Sequence, residues 1–382
     1  MIVNYNNRNI AHFDLDTFFV SVERLLNSKL NNKPVIIGGE GDRSVVASCS
    51  YEARSFGVHS AMPLKMAKML CPDAIFIKGD MDLYSKYSRI VTEIIAESAP
   101  VYEKASIDEH YIDLTGLERF FGCIKWSHQL RNKIIKETGL PISLGFSINK
   151  TVSKIATSQA KPNGEKYVPN NEVIPFLQPL SIRKIPGVGN QTFTILHSMG
   201  VDTIGTLQKI PPELLEKVIG KNGRIIWEKA NGIDNTPVIP YYEQKSISNE
   251  QTFDNDTIDV NFMTTEMIKM TEKLAFDLRN LQKLTGCITV KIRYSNFDTH
   301  TIQKKIPYTS FDHVLIPQTK DLFRKLYQRR MLVRLIGIKF SHLIEGYIQL
   351  NIFDNTSKMF KLYSKIDNIR QRFGFDKLHR AI

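Results

Sequence analysis

The chain has 382 residues and a formal net charge of +12, enough for about two to four domains with separate cores. No run of about 18 apolar residues occurs, which excludes a transmembrane helix, and the N-terminal M-I-V-N-Y-N-N-R-N lacks an apolar signal core, so a cytoplasmic location is expected. Cys49, Cys71, Cys123 and Cys287 are scattered without C-x-x-C pairs, which argues against a disulfide frame or a zinc site, while the positive balance suits a polyanion partner, as it would a ribosomal or membrane-surface protein.

The first predicted strand, Ile10-Ala11-His12-Phe13-Asp14-Leu15-Asp16, is apolar and ends in acid. Thr17 to Glu23 changes to helical spacing, with Phe18 and Phe19 readable as ordinary core aromatics. Pro34–Gly39 and Val45–Ser50 read as strands, the second built mostly of small residues. Tyr51 to Val58 follows, and by pattern alone Arg54 is a surface arginine. The segment from about Phe18 to Gly79 therefore reads as a small insertion. From Asp80 to Ser98 the spacing predicts a helix, with Leu83, Tyr87, Ile90, Val91, Ile94 and Ile95 on one stripe.

Tyr102 to Leu114 alternates apolar and polar residues around Asp108 and Glu109, which predicts a half-buried strand or hairpin. Adjacent carboxylates repel and lose hydration when partly buried, so a positive partner is required. A lone pair of acids is more simply a solvated turn. If this strand neighbours the first, however, Asp14, Asp108 and Glu109 converge on a two-metal site, and Mg²⁺ suits such oxygen ligands. A helix from about Phe121 to Glu137 and a strand Ile142–Ser147 follow. Next comes a helix leading into Gln159-Ala160-Lys161-Pro162-Asn163-Gly164. Strand, helix, two strands, helix, strand is the split βαβ, ferredoxin-like order.

Leu180 to Asn190 contains P-G-V-G ahead of a helical run, with Gly187 and Gly189 in the turn. Free backbone N–H groups and a positive helix end at such a turn suit a phosphate. That is a helix-hairpin-helix pattern, which grips nucleic-acid backbone without reading sequence; otherwise it is a simple helix connector. Pro237 to Lys245 reads as a linker. An amphipathic helix with Phe262, Met263, Met267, Met270, Leu274 and Leu278 precedes the period-2 strand Cys287–Tyr294. Ile288, Val290, Ile292 and Tyr294 face one way there, and Thr289, Lys291 and Arg293 the other. Between Cys287 and Phe340 eleven Lys/Arg stand against three Asp/Glu, so the polar face of this sheet suits phosphate tracking.

Taken together, H-F-D-L-D-T-F-F-V-S-V-E, S-Y-E-A-R-S-F-G-V, S-I-D-E, G-F-S-I-N-K, A-K-P-N-G, I-P-G-V-G and K-S-I-S-N-E-Q-T-F carry a resemblance. In order and spacing, from about residue 9 to 340, the chain resembles the Y-family (translesion) DNA polymerases, most nearly the bacterial DNA polymerase IV group. The resemblance implies an α+β right-hand polymerase: ferredoxin-like palm (1–17 and 80–168), small fingers (18–79) and a helical helix-hairpin-helix thumb (169–236). A linker (237–246), an α/β little finger (247–345) and a tail (346–382) complete it. His110 stands where the family usually has a small residue, and Phe146 where it has an aliphatic one.

Further implications concern individual residues. Asp14 and Asp108 would bridge two Mg²⁺ ions, Glu109 completing the primer-side site and the Leu15 carbonyl the triphosphate side. Tyr51, Arg54 and Lys161 would hold the β- and γ-phosphates of a dNTP, with Phe18 and Phe19 at the nucleotide. Phe19 would reject a 2′-hydroxyl, and Val45 and Ala47 would leave room above the nascent pair. Gly187, Gly189, Lys291 and Arg293 would contact primer-template DNA. Gln349-Leu350-Asn351-Ile352-Phe353 resembles the Q-L-x-L-F peptide that docks on the bacterial sliding clamp, the alternative being an edge strand. A basic helical tail with Leu362, Ile366 and Ile369 on one face follows. The expectation is a monomeric, distributive DNA polymerase without proofreading; the alternatives are an inactive clamp-bound adaptor and a two-metal nuclease or cyclase.

Overall fold

A computed structural model describes residues 8–41, 43–120, 122–328, 330–346 and 356–378. The chain divides into two compact units, Met1–Tyr242 and Glu243–Ile382. Among the described residues no helix is long and apolar enough to cross a membrane.

The first unit is organised by β1 (Ile10–Leu15), whose apolar residues alternate with His12 and Asp14. Helix α1 (Phe18–Leu26) follows across Thr17, a non-glycine residue at φ 43°. An excursion then forms a separate three-stranded sheet. It comprises β2 (Val35–Gly38), β3 (Val46–Cys49), α2 (Tyr51–Ser55), α3 (Leu64–Leu70) and β4 (Ile75–Lys78), in strand order β3-β2-β4. Helix α4 (Met81–Ser98) is opened by Asp80, whose carboxylate accepts from the N–H groups of Asp82 and Leu83, the usual role of an acidic N-cap. The chain continues through β5 (Tyr102–Lys104), β6 (Glu109–Asp113), α5 (Cys123–Thr138), β7 (Ile142–Ser147), α6 (Lys150–Ala160) and β8 (Glu165–Tyr167).

These strands pair in the order β5-β6-β1-β7-β8. With α4 and α5 as crossovers, β1, β5, β6 and β7 form the split βαβ arrangement expected from the sequence. The first strand is antiparallel to both neighbours, with Asp14 opposite Glu109 on one side and Ser143 on the other. Ala11, Phe13 and Leu15 pack with residues of α4 and α5 on one face. Complete burial of side chains such as Phe13 and Leu15 contributes about 1.5–3 kcal/mol each. The α4 stripe is wider than predicted: Tyr84 and Ser88 are also buried.

Helix α6 lies on the opposite face, over Gly145. A Cβ at Gly145 would stand 2.1 Å from the Ser153 carbonyl oxygen and 2.4 Å from the Thr157 nitrogen, so only glycine admits the helix at this depth. The other side of α6 supplies Val152, Ile155 and Ala156 to a core shared with α7 (Val173–Leu177), α8 (Asn190–Ser198), α9 (Ile204–Gln208), α10 (Pro212–Ile219) and α11 (Asn222–Ala230).

Part of the expected linker is fixed to this unit. Val238 is buried against Ile10 and Tyr111, and the Ile239 N–H donates to Glu103, which also takes the Lys150 ammonium at 2.7 Å. His110 is accommodated in the core beside α4, where its Nε2 meets the Thr92 hydroxyl at 3.0 Å. Phe146 is buried and packs at a tilt on Tyr167. All four cysteines are buried and none is in a disulfide.

The second unit runs β9 (Ser246–Thr257), α12 (Val260–Asn280), β10 (Lys283–Tyr294), β11 (Thr299–Thr309), α13 (Asp312–Leu326) and β12 (Val333–Glu345), with sheet order β11-β10-β12-β9. Ile288, Val290, Ile292 and Tyr294 are buried with residues of α12 and α13, as the period-2 pattern predicts. Helix α14 (Thr356–Phe373) docks through Tyr363, Asp367 and Arg370 rather than through the apolar stripe of the sequence reading, since Leu362 and Ile369 are exposed. Arg279 binds Asp367 at 2.6 Å and Asp312 at 2.7 Å, and Tyr363 stacks on Phe311 and His313. A bidentate guanidinium inside a packed face supplies the fixing contacts that the apolar stripe does not. Gln349, Leu350, Ile352 and Phe353, the expected clamp peptide, lie outside the described residues.

Candidate active site

The three predicted acids are brought to one end of the central strands. Asp14 and Glu109 are register partners. Asp108 sits in the turn before β6, where its carbonyl accepts from the Leu15 N–H at 3.0 Å. The Ser106 hydroxyl stitches that turn, accepting from the N–H of Glu109 at 3.0 Å and donating to the Asp108 carboxylate. Ser88 of α4 pins it from behind through the Ile107 carbonyl at 2.5 Å.

Charge at this end is tightly managed. Burial lifts the Asp14 pKa well above the usual carboxylate range, against the pull of Lys161, whose ammonium lies 2.5 Å from its Oδ1. Burial also disfavours ionised Glu109, yet His12 and the Lys154 ammonium at 2.6 Å hold its pKa below the ordinary value. His12 is fully buried, which lowers its own pKa, and its Nδ1 meets Thr157 Oγ1 at 2.8 Å. Among the described residues no three His, Cys, Asp or Glu side chains stand close enough to hold a metal ion as placed; Asp14 and Glu109 each face a lysine. The donor chemistry nevertheless fits a hard divalent cation. The predicted ligands are all oxygens, and Asp14 is a partly buried carboxylate whose loss of hydration outweighs the charge that Lys161 supplies.

A cleft beside these acids is lined by Leu15, Phe18, Phe19, Arg54, Asp108 and Lys161, with Ala47, Ser48 and Ser60 opposite. Phe18 is otherwise a core residue. Phe19 lies flat on Tyr84, with ring centroids 4.3 Å apart, and the Tyr84 hydroxyl donates to Glu23 at 2.7 Å. Its ring therefore has a rigid backing. Tyr51 is not among the residues lining this cleft; its hydroxyl donates to Asp16 at 3.2 Å, and the Arg54 guanidinium stands over its ring at 5.0 Å.

Lys154 was not anticipated as part of the site. Its signal was present in the sequence, because Lys154 and Lys161 are seven residues apart, two helical turns, and so share a face. Asp16 and His12 were visible only as members of the first strand. The Ser143 contact depends on strand neighbours and had no separate signal, whereas Ser106 acts locally, two and three residues ahead of the acids it meets.

Two further surfaces carry predicted residues. Gly187 has φ 104°, and Gly189 is the N-cap of α8, with nothing within 4 Å of where its Cβ would be. Lys229 donates to the Pro186 carbonyl at 2.9 Å and holds the turn. On the polar face of the second unit, Arg293 donates to Thr299 at 2.9 Å and Lys291 to Glu250 at 2.8 Å. Lys291 reaches Glu250 because Gly337, between them in register, has no side chain. The basic face thus contains an acid that already engages one of its cations.

Three carboxylates at the end of a split βαβ sheet, a cleft with a basic and an aromatic wall, and a separate sheet with a basic face define a nucleic-acid polymerase of the right-hand type. Residues 13–158 match the impB/mucB/samB family, residues 244–352 the C-terminal domain of that family, and residues 183–234 the DNA polymerase-iota thumb domain. The chain is 40% identical to a DNA polymerase IV of Dehalococcoides mccartyi over 97% of its own length and 96% of the relative. It is 35% identical to the DNA polymerase IV of Treponema denticola, covering 86% of this chain and 83% of that one. Among solved structures, a Y-family DNA polymerase chimera superposes with a TM-score of 0.80 at 27% identity, over 88% of this chain and all of that one. The DinB from Sulfolobus solfataricus covers the same shares at 27% identity with a TM-score of 0.62. The chain belongs to the Y-family of DNA polymerases. It is a DNA-directed DNA polymerase of the translesion class, has the mixed helix-and-sheet fold of that family, acts on primer-template DNA and depends on a divalent metal.

Proposed function

We propose that Asp14, Asp108, Glu109 and the Leu15 carbonyl hold two Mg²⁺ ions at which a dNTP is joined to the primer 3′-hydroxyl. Bound there, the ions would acidify the primer hydroxyl and offset charge on the departing pyrophosphate. The observation that carries this reading is the pairing of Asp14 and Glu109 in register, each held by a lysine. Lys154 and Lys161 neutralise the acids without committing them, because an ammonium can swing aside on its flexible stem. Lys161, Arg54 and Tyr51 bind the triphosphate, the guanidinium by its fork and the ammonium as a point charge. Phe19, backed by Tyr84, is the wall that excludes a 2′-hydroxyl, and Ala47 and Val45 leave space over the template base.

Gly187 and Gly189 present backbone N–H groups to DNA phosphates, and Lys291 and Arg293 track the backbone from the second unit. Gln349, Leu350, Ile352 and Phe353 dock on a sliding clamp. The protein works as a monomer in the cytoplasm, divided as the palm, fingers, thumb, linker, little finger and tail bounds above. Primer extension with Mg²⁺ and dNTPs tests the centre. Asp108→Ala should abolish extension while primer-template affinity stays near that of the parent, since basic surfaces elsewhere supply the binding. Extension by that variant at near the parental rate would refute the metal assignment.

A further inference from the structure

Asp16 is the acid that the metal assignment leaves over. It is 1% exposed, and donors from separate elements converge on it. Its Oδ1 takes the Tyr51 hydroxyl at 3.2 Å, with the Lys161 ammonium 3.7 Å away. Its Oδ2 takes the Ser143 hydroxyl at 2.8 Å and the Asn163 N–H at 2.6 Å. The main chain is engaged as well. The Asp16 N–H donates to Pro141 at 2.9 Å, and its carbonyl accepts from Ser21 Oγ at 2.7 Å. One residue thereby joins α1, α2, β7 and the loop after α6.

A buried carboxylate satisfied by donors is an ordinary core feature, and Ser143 and Asn163 alone would make Asp16 one. Tyr51 and Lys161 set it apart. The first comes from the excursion and the second from the end of α6, and both are triphosphate ligands in the reading above, on which this inference rests. Lys161 stands between two carboxylates, Asp14 and Asp16. When Asp14 is engaged by a cation, Asp16 still holds that lysine at the cleft. Asn163, two residues on, fixes the backbone from which Lys161 projects.

We propose that Asp16 is a positioning residue for the incoming nucleotide: its carboxylate fixes the Lys161–Asn163 loop relative to Asp14 and holds the Tyr51 side chain beside it, the tyrosine turning its one hydroxyl proton from Asp16 to the triphosphate when the nucleotide binds. Asp16→Asn keeps the shape but removes an acceptor oxygen and the charge.

The test is dNTP affinity measured on a dideoxy-terminated primer-template, where no chemistry follows binding. Asp16→Asn should weaken dNTP binding roughly 10- to 100-fold, the scale of one hydrogen bond to a charged group, with DNA affinity unchanged. Asp16→Asn/Tyr51→Phe should lose less than the sum of the two single losses, because the carboxylate and the tyrosine place each other. Ser143→Ala, which leaves the carboxylate in place, should shift affinity in the same direction by less, and it decides the matter with Tyr51→Phe should Asp16→Asn not fold. Parental dNTP affinity in Asp16→Asn, additive losses in the double variant, or parallel loss of DNA affinity would overturn the proposal. If Lys161→Ala weakens dNTP binding and neither Asp16→Asn nor Ser143→Ala does, the positioning role fails and the triphosphate assignment stands. If Lys161→Ala has no effect, the assignment itself fails.

Discussion

Gly145→Ala is the most economical way to separate the placement of α6 from the chemistry it serves. The added Cβ would sit 2.1 Å from the Ser153 carbonyl oxygen, 2.4 Å from the Thr157 nitrogen and 2.5 Å from Thr157 Oγ1. Two of these are backbone atoms, so no rotamer change relieves them. Strand β7 cannot retreat, because it is paired with β1 on one side and β8 on the other. Helix α6 must therefore lift by more than about 1 Å to reach ordinary contact. Overpacking of this kind costs about 1–3 kcal/mol, visible as a lower urea midpoint at unchanged slope. The functional effect should exceed the stability effect, since α6 carries Lys154 and leads into Lys161, which hold Glu109 and Asp14. A displacement of about 1 Å at such groups costs roughly 100-fold in rate. Steady-state primer extension under conditions where the variant is fully folded would measure it. Parental kcat/KM together with parental stability would refute the claim that the glycine sets the depth of the helix.

Three other variants address the remaining surfaces. Phe19→Ala should relax sugar selection by roughly 100-fold or more in relative ribonucleotide efficiency, because the backing by Tyr84 leaves the ring no escape from a 2′-hydroxyl; unchanged discrimination would reduce Phe19 to a packing aromatic. Lys291→Ala with Arg293→Ala should weaken DNA binding alike on all sequences and flatten its salt dependence by about one unit per lost phosphate contact. A slope lowered by Arg293→Ala alone would mean that Glu250 retains Lys291 in the complex. Leu350→Ala with Phe353→Ala should leave unassisted extension unchanged and remove stimulation by a loaded bacterial sliding clamp, as expected when a few anchors carry a short peptide; equal stimulation of variant and parent would dismiss the motif.

Much of this protein is legible in its sequence because the signals are local. Alternation in Cys287–Tyr294 places Ile288, Val290 and Ile292 in a core, and they are buried there. The apolar strand ending at Asp14 and the hairpin around Glu109 are similarly set by period-2 patterning, and their element order implies a split βαβ sheet in which the two strands are neighbours. Asp80 announces the start of α4 through cap chemistry. Such features depend on a few adjacent residues, and tertiary context has little freedom to alter them.

Other features required the folded chain. The α14 docking face is polar and aromatic, because Arg279, 88 residues away in sequence, supplies the partner of Asp367 and is itself held by Asp312; the apolar stripe of Leu362 and Ile369 points elsewhere. Lys291 pairs with Glu250 only because Gly337 leaves a gap in a strand between them. By patterning alone Asp16 is indistinguishable from Asp14, both acids at the end of one strand. Their separate surroundings arise from what β7, α2 and the loop after α6 bring to each. The sequence by itself determined which residues alternate, cap and turn, since those energies act within a few positions. Tertiary structure alone decided which charge meets which, because a buried carboxylate takes its properties from donors that the chain delivers from far away.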